Sequence, residues 1–330
     1  MKQLLIKLIE CQKLTFEESK SLMNGIAHNE VNDAQIAAIL TAFIIRPISI
    51  EELRGFRQAL IDLAIKVNLN NGYGIDLCGT GGDGKNTFNI STISSFVVAA
   101  AGYPVIKHGN YGTTSLSGSS NIMEYFGYKL SNNEDKLQQE LSKSGICFLH
   151  APLFHPALKI VGPVRKQLGI KSFFNMLGPL VNPANPKYQV TGVYSAEVGR
   201  VYSYFLQSEN KKFIILHSLD GYDEISLTSP VKLFTNKGET FVNFEEKGLK
   251  KVSPESIAGG ETMDEAGKIF LGVLENRSTY EQHSVVVANA ALTVSCIDES
   301  ITLDDALILA EETLVSGKAF QLFKKLISLQ

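Results

Sequence analysis

Cysteine is scarce in this chain. Its four residues, Cys11, Cys78, Cys147 and Cys296, stand far apart and form no C-x-x-C pair. They read as reduced, mostly buried thiols, which suits a cytosolic protein. Long apolar runs are missing too: the nearest, SVVVANAALTVSC (284–296), is shorter than the roughly 18–20 residues needed to span a bilayer. The opening MKQLLIKLIECQK lacks a long apolar core and a small-residue cleavage site. A soluble, cytoplasmic protein without a signal peptide or membrane partner is therefore expected. The formal net charge of −3 and a pI near 6.1 give no basic field, so nucleic acid is not an expected partner. The most telling absence is local. The chain has 34 acidic residues, yet none falls between Asp83 and Glu124.

With 330 residues, 44% hydrophobic and 20% charged, the sequence can bury a large core, as one big domain and a smaller one. Residues 1–70 read as all helical. Thr15 with Glu18, Asn32 with Gln35 and Ser49 with Glu52 form three capping-box patterns. The third helix, AQIAAILTAFIIR, is apolar nearly all round, so both faces need cover, part of which a second subunit can supply. NLNNGYG (68–74) reads as a linker. From residue 71 onward, short strands alternate with helices. The fold class is therefore α/β: a small helical N-terminal domain and a large domain with a mainly parallel sheet flanked by helices. Within 155–186, Gly162-Pro163 is expected to kink or break a helix. Residues 231–244 read as a hairpin turning at Asn236-Lys237-Gly238, and four helices follow near 263–276, 283–297, 303–316 and 318–328.

Two Gly-rich loops, GTGGDGKNTFNIST (79–92) and KHGNYGTTSLSGSSN (107–121), occupy the acid-poor stretch and each follow a strand. Small residues let backbone N–H groups close on an anion, hydroxyls and amides add donors, and Lys107 adds charge. A heavily phosphorylated small molecule is the ligand they suit. Ligands of parallel sheets bind beyond the carboxyl ends of the strands, where both loops fall. Gly79 to Gly84 formally matches G-x-G-x-x-G, but Lys107-His108 stands where a dinucleotide site wants an acid. Gly79 to Lys85 also comes one residue short of a Walker A loop, because Asn86 replaces its Ser or Thr. A purely structural turn does not explain a second loop of the same character.

GTGGD (79–83), TFNIST (87–92), KHGN (107–110), SGSS (117–120), HPALK with PVRKQLGI (155–170), FNMLGPLVNPA (174–184) and GYDEIS (221–226) resemble the anthranilate phosphoribosyltransferases in order, spacing and overall length. These are relatives of the nucleoside phosphorylase fold. The resemblance implies transfer of phosphoribose from 5-phosphoribosyl 1-diphosphate to the amine of anthranilate, in tryptophan biosynthesis. It assigns Gly79, Gly82, Asp83, Thr87, Asn89, Ile90, Ser91 and Thr92 of the first loop to the donor. From the second loop it adds Lys107, His108, Gly109, Asn110, Tyr111, Gly112, Thr113, Thr114, Ser115 and Ser119. Read without it, Asn89 to Thr92 is equally a plain helix cap.

For the acceptor, the resemblance points to Gly79, His108, Asn110, His155, Arg165 and Gly178, with Lys107, Asn110 and Arg165 as the catalytic set. Arg165 can fork onto a carboxylate, whereas its bland reading is a surface charge on an amphipathic helix. His108 and His155 read equally as packed structural residues. Asp223 and Glu224, by themselves a solvated turn, become magnesium ligands, with Ser91 contributing to a second or shared ion, two ions in all. A homodimer through the helical region 1–70, joined by part of 160–185, is implied, with 71–330 as the catalytic domain. The chain departs from the family at Tyr111-Gly112, where Arg and a small residue are usual. That loses a positive charge at the phosphate loop. Two rivals remain: a pyrimidine nucleoside phosphorylase, expected to carry a further C-terminal domain, and a non-enzymatic nucleic-acid-binding relative, expected to be basic.

Overall fold

The computed structural model describes residues 1–112, 117–209 and 211–330. Thr113, Thr114 and Ser115, assigned above to the donor, lie outside the described residues. The chain opens with α1 (Lys2–Ile9), α2 (Phe16–Ala27), α3 (Asp33–Ile45) and α4 (Ile50–Leu63). Strand β1 (Ile75–Gly79), α5 (Ile90–Ala100), β2 (Val105–Gly109), α6 (Ser119–Tyr125), α7 (Glu134–Ser144) and β3 (Ile146–His150) follow. Three helices interrupt the alternation: α8 (Ala151–Phe154), α9 (Pro156–Leu168) and α10 (Phe174–Leu177). It resumes with β4 (Tyr188–Gly192), α11 (Ala196–Gln207), β5 (Lys212–Ser218), β6 (Val231–Thr235) and β7 (Gly238–Val242). Helices α12 (Met263–Leu274), α13 (Tyr280–Ile297), α14 (Leu303–Val315) and α15 (Lys318–Ser328) complete the chain.

Two compact units result. Residues 1–67 and 151–183 form the helical unit, and 68–150 with 184–330 form the α/β unit. In the helical unit all three capping boxes are made: each N-cap side chain accepts from the N3 amide, and the N3 side chain reaches back. Rings of Phe43, Phe56, Phe173 and Phe174 cluster at centroid spacings of 4.5–5.5 Å. The fully buried Glu52 takes a forked hydrogen bond from Arg46, at 2.5 and 2.9 Å, and another from the Leu14 amide. Helix α3 buries Ile36, Ile39, Leu40 and Phe43 but leaves Ile44 and Ile45 exposed.

The α/β unit holds one seven-stranded sheet in the order β3-β2-β1-β4-β5-β6-β7. Its first five strands are parallel, and the β6–β7 hairpin adds two antiparallel strands at one edge. Successive strands run outward from β1 on one side and from β4 on the other, so the order reverses between them. Such a switch point opens a crevice beyond the carboxyl ends of the strands. Helix α13, the apolar run noted in the sequence, is buried along almost its whole length and packs against α5 in the main core. No helix among the described residues is long and apolar enough to cross a membrane.

Three local expectations are revised. Helix α9 continues through Pro163 instead of breaking. Gly162 has no Cβ to clash with the proline ring, and both Pro163 and Lys159, whose carbonyl loses its bond, face solvent. The 68–74 segment is a tied-down turn: the Asn68 and Asn70 amides donate to Glu134 and Gln138 of α7 at 3.0 and 3.1 Å. Asn89 sits at the N-cap of α5 without making a side-chain cap, because its amide is used elsewhere.

Candidate active site

Gly79 and Gly192 pair at the carboxyl ends of β1 and β4, at the switch point. Their lack of side chains is a space requirement. A Cβ on Gly192 would fall 1.4 Å from the Asp223 carbonyl oxygen, and one on Gly79 would fall 2.4 Å from Asp223 Oδ2. The loop after β5 thus folds over the sheet end. The chain after β1 turns through left-handed Gly81, Gly82 and Gly84. There the Gly81 N–H donates to Asp223 Oδ2 at 2.7 Å, and Asp83 accepts from the Lys85 N–H at 3.0 Å. The buried Thr80 hydroxyl has no hydrogen-bond partner among the described residues.

Glu224 reaches the same place. Thr87 Oγ1 donates to it at 3.1 Å and the Ser91 N–H, in the first turn of α5, at 3.2 Å. Burial, then the neighbouring Glu224 and Asp83 carboxylates, push Asp223 well above the ordinary range. Burial and Asp83 raise Glu224 to about 7, against the pull of Thr87, Ser91 and Lys107. Acids crowded this way favour a nearby cation. Among the described residues, no three His, Cys, Asp or Glu side chains are placed to hold a metal ion by themselves. The adjacent Asp223 and Glu224 carboxylates fit magnesium, which takes one or two carboxylates and completes its shell with water and substrate phosphates.

Lys107 lies on β2 and is 1% exposed. Its Nζ donates to the Leu77 carbonyl and stands 3.5 Å from Ser91 Oγ. Burial lowers its pKa, while Cys78, Asp76 and Glu224 favour its charged form. Asp76, fully buried on β1, accepts from the His108 N–H at 3.1 Å. Sequence reasoning passed over Asp76; an acid inside an otherwise apolar strand, GIDLCG, was its signal. It also passed over Asn289, the amide within the apolar run of α13. Asn289 accepts from the Ile225 N–H at 3.1 Å and donates to the Ile225 carbonyl at 2.8 Å, clamping the chain beside Glu224.

The second loop approaches the first through Asn89. Its Nδ2 donates to the Ser117 carbonyl at 2.9 Å, and its Oδ1 accepts from Ser117 Oγ at 3.0 Å. Ile90 buries its side chain in the core and gives its N–H to the Phe88 carbonyl; Thr92 is also buried. Gly109 accommodates Ser119, whose Oγ would lie 2.2 Å from a Cβ there. The Asn110 carbonyl accepts from the Ser120 N–H at 3.2 Å, and its Oδ1 from the Tyr111 N–H at 2.8 Å. Tyr111 sets its ring edge-on to His150 at 4.6 Å, and Ser120 Oγ fixes that imidazole at 2.8 Å. Gly112 follows directly at the edge of the described loop.

The remaining acceptor candidates, His155, Arg165 and Gly178, belong to the helical unit. His155 is buried, with Nε2 2.7 Å from the Val181 carbonyl, and burial lowers it to about 4. Arg165 donates to Asn175 Oδ1 at 3.3 Å and lies over the Phe174 ring, with burial lowering its pKa. A Cβ on Gly178 would meet open space.

A family model described as the glycosyl transferase family a/b domain matches residues 71–320, and the helical bundle domain of the same family matches 2–64. The anthranilate phosphoribosyltransferase of Cytophaga hutchinsonii is 49% identical over 99% of this chain and 100% of its own. That of Bacteroides fragilis is 47% identical over 100% and 99%. Among solved structures, the Thermus thermophilus enzyme of that name superposes with a TM-score of 0.92, at 30% identity, over 99% of this chain and 98% of its own. The Saccharomyces cerevisiae enzyme in complex with PRPP and Mg shares the fold, with a TM-score of 0.90 at 24% identity over 99% and 96%. Matched over almost its whole length, this chain belongs to the anthranilate phosphoribosyltransferase family of glycosyl transferases.

Proposed function

We infer that this protein transfers the phosphoribosyl group of 5-phosphoribosyl 1-diphosphate to the amine of anthranilate, releasing diphosphate; the relatives named anthranilate phosphoribosyltransferase support the transfer. One observation carries the reading most. An acid pair distant in sequence folds back onto the first glycine-rich loop, Asp223 to Gly81 and Glu224 to Thr87 and Ser91, beside a buried lysine. Anions and a divalent cation find complementary charge there. Gly79, Gly82, Asp83, Thr87, Ser91 and the second loop through Ser119 are assigned to the donor. Asn89 holds that second loop through Ser117.

Asp223 and Glu224, with Ser91, are the proposed magnesium ligands, for two ions. Magnesium, when bound, supplies charge neutralisation for the departing diphosphate. Lys107 adds a fixed positive charge on the same side, and loop N–H groups add oriented dipoles. As the C1–O bond breaks and its electron pair leaves with diphosphate, the amine nitrogen forms the new bond to C1 and then releases one proton to solvent. Anthranilate's amine is a weak nucleophile, so help for the leaving group dominates, and positioning supplies the rest. Arg165 is proposed to take the anthranilate carboxylate, and Gly178 and Asn110 are further proposed acceptor residues. A cytoplasmic homodimer formed through the helical unit completes the proposal.

The test follows anthranilate fluorescence with the donor present or absent, with and without magnesium. Loss that needs donor and magnesium together supports the reading. Phosphate-dependent cleavage of thymidine instead would transfer the protein to the nucleoside phosphorylases.

A further inference from the structure

We propose that Asn121 is a positioning residue for the phosphoribosyl donor, acting through the two ends of the second glycine-rich loop. Its Oδ1 accepts from the Gly112 N–H at 2.9 Å and from the Gly118 N–H at 3.0 Å. Both partners are backbone donors, so the amide's orientation is fixed: only the oxygen can face them. One acceptor therefore joins the entry and the exit of the loop. The chain passes itself closely at that point. A Cβ on Gly118 would lie 2.3 Å from the Gly112 nitrogen and 2.7 Å from the Asn110 carbonyl oxygen, so only glycine fits.

Asn89 supplies a second, independent tie, through its reciprocal pair with Ser117 next to Gly118. Gly112, Ser117 and Gly118 are thus held by uncharged amides from α6 and from the start of α5. The inference rests on the donor reading of this loop. It goes beyond that reading by naming a residue that need not touch the substrate, yet fixes the two described ends of the loop at Gly112 and Gly118. Ends fixed at Gly112 and Gly118 lose no backbone freedom there when the donor binds, so releasing them costs donor affinity in particular.

The test compares Asn121→Ala with Asn121→Asp in steady-state kinetics on the full chain. In Asn121→Ala, the KM for the diphosphate donor is expected to rise about tenfold or more, as the loss of two backbone hydrogen bonds implies. The KM for anthranilate should stay within about twofold. Asn121→Asp keeps an oxygen acceptor for both N–H groups and should return the donor KM to within about threefold of the parent. Gly118→Ala, which forces the loop ends apart, should reproduce the donor-specific rise if Asn121→Ala is too unstable to assay. An unchanged donor KM in Asn121→Ala overturns the proposal. So does a loss shared equally by both substrates, or an aspartate variant as impaired as alanine. Absence of turnover in the parent would instead overturn the transferase reading.

Discussion

Arg165 carries a guanidinium that burial disfavours and that is met by the neutral Asn175 side chain and the Phe174 ring. A cation kept there at an energetic cost suits an anionic ligand. Arg165→Ala should raise the KM for anthranilate by about ten- to a hundredfold, the worth of a charge-assisted pair, with the donor KM little changed. Unchanged anthranilate saturation would remove Arg165 from the acceptor site. His155 yields a prediction about stability. Its folded value, about 4, lies below the usual 6.5. The unfolded chain therefore binds a proton below about pH 6.5 that the folded chain refuses until about pH 4. Stability from this group is present at neutral pH and is lost as pH falls through that window. By urea unfolding, His155→Gln should lose about 2 kcal/mol less than the parent between pH 7 and 4.5. Parallel losses would mean that His155 titrates normally.

At the scale of elements, the helical caps and the alternation of strands and helices were legible because they depend on neighbours in sequence. Ser49 meets Glu52 wherever that helix lies. Glu52's second role, accepting from Arg46 and Leu14, was not legible, since it needs chain from three segments. The same holds for the site. The acid-free stretch marked both glycine-rich loops, and the resemblance pointed to Asp223 and Glu224, the pair that folds onto the first of them. Asp76 and Asn289 escaped because a strand and a helix hide single polar residues among apolar ones until packing shows what they bind. Asn289→Ala leaves the Ile225 N–H and carbonyl buried without partners and should cost on the order of 3 kcal/mol. It should also raise the magnesium concentration needed for half-maximal turnover, because Ile225 adjoins Glu224. A stable variant with normal magnesium dependence would show that the clamp does not position the acid pair.

For the whole molecule, the sequence expected both faces of the third helix to be covered. Within one chain, Ile44 and Ile45 of α3 stay exposed, as do Ile6 and Ile9 of α1, which packs beside it. Four isoleucines on adjoining helices support the proposed dimer interface. Sedimentation should show a dimer for the parent and a monomer for the Ile9→Glu, Ile45→Glu double variant. A parent monomer, or a variant that remains dimeric, would place the interface elsewhere or remove it.

The central claim concerns charge at the carboxyl edge of the sheet: Asp223 and Glu224 hold the magnesium that the donor requires. Anthranilate consumption at saturating donor, titrated with magnesium, tests it directly in the parent and in Asp223→Ala, Glu224→Ala. The parent should show saturable magnesium dependence, and the double variant should lose at least about a hundredfold in turnover. Normal turnover by a folded double variant, at the parent's magnesium concentration, would contradict the account.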